Sequence, residues 1–304
     1  MSRRPVRSRA SFATLSALPF LFLVIVFGGY AWIQVIQMAF AHIRVQHGQF
    51  VWSGAGFANF RAVLHNHAAW QSVLNTIVFA TASVVLTVLL GLLLAVLVHR
   101  STLFKAAARM LVIWPAVVAP VVVSLIWLLV LSPNIGLLNK ILESLGLADQ
   151  GWLGEELGAM LCIIIVDVWH WTPVAFLLLY SALLTIDAEI LEASRCDGAR
   201  EWQIFRHVQL PLLMPAIAAT AFIRAVMCVK AFDEMYLLTG GGPNGATTLV
   251  SLHIRDVFFD QLDFGYGAAF SMLVVLLVAG AIGVAFLGRV TLRRQTAILG
   301  AGAA

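Results

Sequence analysis

Four ionisable residues fall within one apolar run: Arg224, Lys230, Asp233 and Glu234 interrupt the stretch from Leu212 to Leu238. Charge inside a membrane-length segment is expensive and by default marks function. Lys230 lies three residues before Asp233 and four before Glu234, so a continuous helix would gather them into a self-neutralising cluster on one face. The other reading has them meeting a solute or a docked protein. Arg224 has no opposite charge three or four residues away, and Asp167, in the run from Leu157 to Leu183, has no Lys or Arg nearby. A pair between their two helices would relieve both costs; alternatively, Arg224 faces a path that admits a polar or anionic solute. Trp169 and Trp171 flank His170. An indole face suits the apolar face of a sugar ring, and tryptophans at mid-span also serve packing.

Other chemistries find little support. Cys162, Cys196 and Cys228 are odd in number and show no CxxC spacing, so neither a disulfide framework nor a metal site is expected. No GxxxxGK[ST] phosphate loop occurs, so the chain is expected to bind no ATP and no cofactor itself. The one outer acidic cluster, Asp260-Gln261-Leu262-Asp263, reads as a solvated loop. A membrane-embedded lipid or prenyl transferase would need a nucleophile–base set or acidic cluster at the interface. No catalytic residue is assigned.

These residues must be positioned by membrane-spanning helices. Hydrophobic residues make up 61% of the 304, charged residues only 11%, and the mean hydropathy is +0.94. Six apolar stretches are long enough to cross the bilayer: Leu15 to Phe40, Val73 to Val98, Leu111 to Leu131, Leu157 to Leu183, Leu212 to Leu238, and Gly267 to Leu287. Backbone groups cannot go unpaired in lipid, so these are helices. The expected fold class is therefore an all-α integral membrane protein of about six spans. Its parts are a tail 1–14, a transmembrane domain 15–290 and a tail 291–304. The first stretch also invites comparison with a signal peptide, since Ala39-Phe40-Ala41 resembles a cleavage site. The run is far longer than the roughly 7–15 residues of a signal core, so a retained helix is expected.

Orientation follows from counting Lys and Arg. With the N-terminus inside, thirteen lie on the cytoplasmic side: Arg3, Arg4, Arg7, Arg9, Arg100, Lys105, Arg109, Arg195, Arg200, Arg206, Arg289, Arg293 and Arg294. Four lie outside: Arg44, Arg61, Lys140 and Arg255. This bias predicts both termini in the cytoplasm. The net charge of +4 then reports topology, and nucleic acid is not an expected partner. Residues 41–72, 132–156 and 239–266 fall outside; 99–110 and 184–211 fall inside.

The inner segment Glu192 to Pro211 reads as a short helix, a break at Asp197-Gly198, and a second helix ended by Pro211. Ile204, Phe205 and Val208 share one helical face. Such a pair suits either a partner's groove or the bilayer surface.

The order of residues here resembles the EAA loop of permease subunits in ATP-binding-cassette importers. Glu192, Ala193, Gly198, Val208, Leu210 and Pro211 fall on that motif's register, with Ser194 in place of its second Ala and Val208 in place of Ile. Trp169-His170-Trp171-Thr172-Pro173, Phe232 to Pro243 and Phe264 to Ala269 are similar to the carbohydrate-importing branch, of maltose and glycerol-phosphate type. Gly56-Phe57-Ala58-Asn59-Phe60 and Gly136-Leu137-Leu138-Asn139 are weaker matches, and residues 12 to 295 are covered. The resemblance implies the type I importer permease fold in a bacterial or archaeal inner membrane. It implies partnership with a second homologous permease subunit, two ATPase copies that use ATP and Mg, and an extracytoplasmic solute-binding protein. It also implies that Glu192, Ala193, Asp197, Gly198, Ala199, Phe205, Val208, Leu210 and Pro211 couple to the ATPase. Candidates for the path of a sugar or related solute are Asp167, Trp169, Trp171, Arg224, Lys230, Asp233 and Glu234. An ion-driven secondary transporter is the rival class; no inverted repeat or broken-helix pair is detectable to support it.

Overall fold

In the computed structural model, the described residues are 16–46, 49–100 and 105–301. The expected tail 1–14, with Arg3, Arg4, Arg7 and Arg9, lies outside them, as do residues 302–304 of the expected tail 291–304. Helix α1 (Ser16–Ala39) leads into an antiparallel hairpin of β1 (Ala41–Gln46) and β2 (Gln49–Gly54), an element the sequence reading left unassigned. Then follow α2 (Ala58–His65), α3 (His67–Arg100), α4 (Lys105–Val117), α5 (Pro120–Val130), α6 (Leu137–Ser144) and α7 (Glu156–Leu184). Next come α8 (Ala188–Cys196), α9 (Glu201–Val229), α10 (Asp233–Leu238), α11 (Val250–Arg255) and α12 (Phe264–Ala301).

Among the described residues, five helices are long and apolar enough to cross a membrane: α1, α3, α7, α9 and the Phe264–Val284 part of α12. The expected third span is instead two helices, Arg109–Val117 and Pro120–Val130, bent by 99°; counted as one broken span, it brings the total to six. The bend has a local cause. Pro120 pushes the residue before it out of the helical region, and Ala119 is extended, with ψ 140°.

The expected fifth span also stops short. Its helix ends at Val229, and Lys230, Ala231 and Phe232 are not helical. Asp233 and Glu234 open a new helix, where carboxylates offset the exposed backbone N–H groups. The Ser251 hydroxyl meanwhile donates to the Ala231 carbonyl freed at the break. Lys230 and Glu234 therefore do not share a helical face, and the expected cluster does not form.

One compact unit comprises His67–His253. Along α3, Ser83, Thr87, Gly91 and Ala95 are buried at four-residue spacing, while Leu89, Leu93 and Leu97 are exposed. Small residues thus face protein and leucines face the surroundings, as close helix packing in lipid requires. A Cβ on Gly91 would lie 2.8 Å from Ala175 Cβ and 3.0 Å from the Phe176 backbone nitrogen on α7, so the two backbones approach as only glycine permits. Helix α7 is the axle of the unit. Ile163, Ile164, Val166, Asp167 and Val168 are all buried, and residues so close in sequence point in different directions.

The connecting loops are held by asparagines. Asn139 donates to the carbonyls of Pro133 and Gln150, both at 3.0 Å, and accepts from the Gln150 N–H and Trp152 Nε1. Asn75 donates to Gly245 and Thr248 carbonyls at 2.9 and 3.1 Å, fastening the glycine-rich loop to α3. The second unit contains the described residues before His67 and after His253. Within it α1 packs on α12, and Asn59 of α2 donates to the Ala39 and Ala41 carbonyls at 3.0 and 2.9 Å.

Candidate functional site

Two places gather the chemistry-bearing residues. The first is a set of charges enclosed by α7, α9 and α10. Arg224 Nη2 donates to Asp167 Oδ2 at 2.5 Å, and both side chains are 1% exposed. The guanidinium also lies 5.7 Å from the Trp171 ring centroid, within cation–π range. Each charge is thereby offset by an opposite one, which a buried ion requires. Of the two sequence readings, the structure displays the interhelical pair.

Glu234 is also buried, but its partner is His170 and not Lys230: Nδ1 lies 3.4 Å from Oε1. His170 was read in sequence only as a companion of its tryptophans. Asp233 is half-buried and Lys230 exposed. Trp169 is 37% exposed, edge-to-face with Trp127 at 5.8 Å. The path candidates therefore divide: Asp167, Arg224, Trp171 and Glu234 are engaged with one another or with His170, whereas Trp169, Lys230 and Asp233 keep open surface.

The second place is the segment from Glu192 to Pro211. Helix α8 ends in a Schellman turn: the Gly198 N–H donates to the Arg195 carbonyl at 3.0 Å, and the Ala199 N–H to Ser194 at 3.1 Å. Gly198 takes φ +81°, a left-handed angle in which a side chain is strained. Helix α9 then starts with a capping interaction, the Arg200 N–H donating to Gln203 Oε1 at 2.8 Å. Glu201 accepts from Arg195 Nε at 2.9 Å, and its other oxygen stands 3.9 Å from Arg100 on α3.

Pro211 does not end this helix, contrary to expectation. A π-helical segment, Phe205–Gln209, carries the chain into the span, so that Glu201–Val229 is one continuous helix. Proline cannot donate to the carbonyl four residues back. The wider register before it, with the Leu210 N–H donating to Phe205, absorbs the mismatch.

Between α8 and α9 lies an open hollow of about 400 Å³. It is lined by Asp197, Gly198, Ala199 and Val208, as the sequence suggested, and also by Ser194, Gln203, Ile204 and His207. Gln203 and His207 share a helical face by their four-residue spacing, a signal that was legible and passed over. Glu192 and Ala193 are exposed on α8, and Pro211 is exposed on α9. Phe205, half-buried against Trp202 at 5.7 Å, and Leu210 lie outside the hollow.

Residues 87–295 match the family model described as binding-protein-dependent transport system inner membrane component. The chain is 35% identical over 223 residues to the trehalose/maltose transport system permease protein MalF of Thermococcus litoralis, covering 73% of this chain and 75% of that one. It is 33% identical over 241 residues to the diacetylchitobiose uptake system permease protein DasB of Streptomyces coelicolor, covering 76% and 72%. A chain from the crystal structure of a bacterial ABC transporter that imports the acidic polysaccharide alginate has the same fold. There the TM-score is 0.76 at 22% identity, covering 89% of this chain and 93% of that one.

Proposed function

Because the chain belongs to the inner membrane components of binding-protein-dependent transport systems, we propose that it couples import of a sugar or sugar-like solute to a separate ATPase through Glu192 to Pro211. The chain is a multi-pass permease subunit, a transporter component and not itself an enzyme. In our reading it works with a second homologous permease subunit, an extracytoplasmic solute-binding protein and two ATPase copies that take up ATP and Mg. The carbohydrate assignment is supported by relatives named for trehalose, maltose and diacetylchitobiose.

Both termini lie in the cytoplasm of a bacterial or archaeal cell in this reading, with tails 1–14 and 291–304 flanking the membrane domain 15–290. The thirteen-to-four charge bias supports this and puts Gly198 on the side of the ATPase. The observation that carries the proposal is the hollow at the Schellman turn, opening directly onto a continuous helix. Glu201–Val229 has 29 residues, so a displacement beside Gly198 is passed along about 43 Å of continuous helix. Arg224 stands near its far end and passes the motion to Asp167 on α7. Solute would move by alternating access, the loop holding different positions in two global states. Trp169, Lys230 and Asp233 are the path residues with surface left to meet it.

The test uses the assembled transporter in proteoliposomes, with trehalose and maltose as probes. Gly198→Pro and Glu192→Ala should insert normally yet hydrolyse ATP without transport. Normal transport by both variants removes the loop from the mechanism. Transport by the purified chain without an ATPase would overturn the whole reading.

A further inference from the structure

Two helix breaks meet at one imidazole. Helix α7 passes through the unit without interruption, whereas its neighbours are broken at Val118–Ala119 and at Lys230–Phe232. His170, on α7 and 0% exposed, reaches both: Nε2 lies 3.2 Å from the Val118 carbonyl, and Nδ1 lies 3.4 Å from Glu234 in the first turn after the second break. A carbonyl only accepts, so Nε2 carries a hydrogen and donates it. Nδ1 and the Glu234 carboxyl share the second bond. The imidazole and the Glu234 carboxyl are both buried, so leaving the bond between them unmade would be costly.

We propose that His170 is a positioning residue that fastens the break preceding α5, at the Val118 carbonyl, and the half-helix α10 to α7. The three then move as one body during transport. Apolar contacts already join these elements, since Val123 of α5, Met235 of α10 and Val166 of α7 lie in one core cluster. Such contacts are non-directional and tolerate sliding. Two hydrogen bonds from one rigid ring, pointing to two different segments, fix register as packing cannot. A role for His170 in contacting solute is incompatible with its burial. The proposal goes beyond the coupling-loop reading and does not depend on it.

The experiment measures the α5–α10 distance by double electron–electron resonance. The complete transporter is placed in nanodiscs, with nitroxide labels on Leu129→Cys and Tyr236→Cys, both exposed sites. Cys196, which is exposed, is changed to Ser, while Cys162 and Cys228 are buried and stay. The labelled parent should give one narrow distribution, the same without nucleotide and after trapping with ATP and vanadate. His170→Leu should broaden it at least twofold and cut the stimulation of ATPase activity by binding protein about threefold. His170→Gln, whose amide still donates, should restore the narrow distribution. Where His170→Leu fails to assemble, Glu234→Leu against Glu234→Gln makes the same comparison. A parent distance that changes with nucleotide overturns the proposal, as does a leucine variant indistinguishable from its parent.

Discussion

Arg224 and Asp167, 57 residues apart in sequence, form a 2.5 Å ion pair between two membrane-length helices, each side chain 1% exposed. Removing one partner leaves a buried charge uncompensated, at about 3–5 kcal/mol. Arg224→Ala and Asp167→Ala should each lower the thermal midpoint of the purified protein sharply, and the double variant should be no worse than either single one. Additive losses would show that the two residues act independently and sink the pair as a structural unit.

Gly198 has open space around the position of an added Cβ, so substitution there tests backbone angle alone. Gly198→Val should strain the turn by about 1–2 kcal/mol and reduce co-purification of the ATPase subunit. Gly198→Asn, which tolerates the left-handed region, should retain it. Equal behaviour of the two variants would remove the Schellman turn from the docking surface.

Gly91 presents the opposite case. Its neighbours across the helix contact are backbone and Cβ atoms that cannot rotate away. Gly91→Val should destabilise by about 1–3 kcal/mol through overpacking. Gly280→Ala, with nothing within 4 Å, should leave stability level or slightly raised. A denaturation series on both variants checks the contrast.

Lys230→Ala should change stability by no more than about 0.5 kcal/mol, as for an exposed residue that forms no ion pair with the described residues around it. A fall in thermal midpoint comparable with that of Asp167→Ala would restore the Lys230–Glu234 cluster. Reduced transport at unchanged stability would place Lys230 on the solute path.

Asn139→Asp keeps shape but loses both donors to the Pro133 and Gln150 carbonyls. The loss should amount to about 1–3 kcal/mol locally. Limited proteolysis should then cut between residues 132 and 156 faster than in the parent, and unchanged cutting would remove Asn139 as the organiser of that loop.

The linear sequence by itself determined that the chain is built of membrane-crossing helices, because bilayer thickness demands a local run of apolar residues, and a continuous run of about 20 satisfies its backbone in lipid as a helix. It also marked the turn at Asp197-Gly198, where a glycine takes the left-handed angle that ends α8, although the helix that follows runs on through Pro211. Tertiary structure alone decided the rest. Arg224 and Asp167 each lacked a local partner, but spacing on one helix says nothing about which residue faces it from another. The break after Val229 has no glycine or proline to announce it; it rests on Ser251 and on the first turn of α10, both set by packing. His170 was legible only as a residue between tryptophans, since its partners lie 52 and 64 residues away. Local patterns specify helices, and only the folded contacts specify which charges are satisfied and where the helices stop.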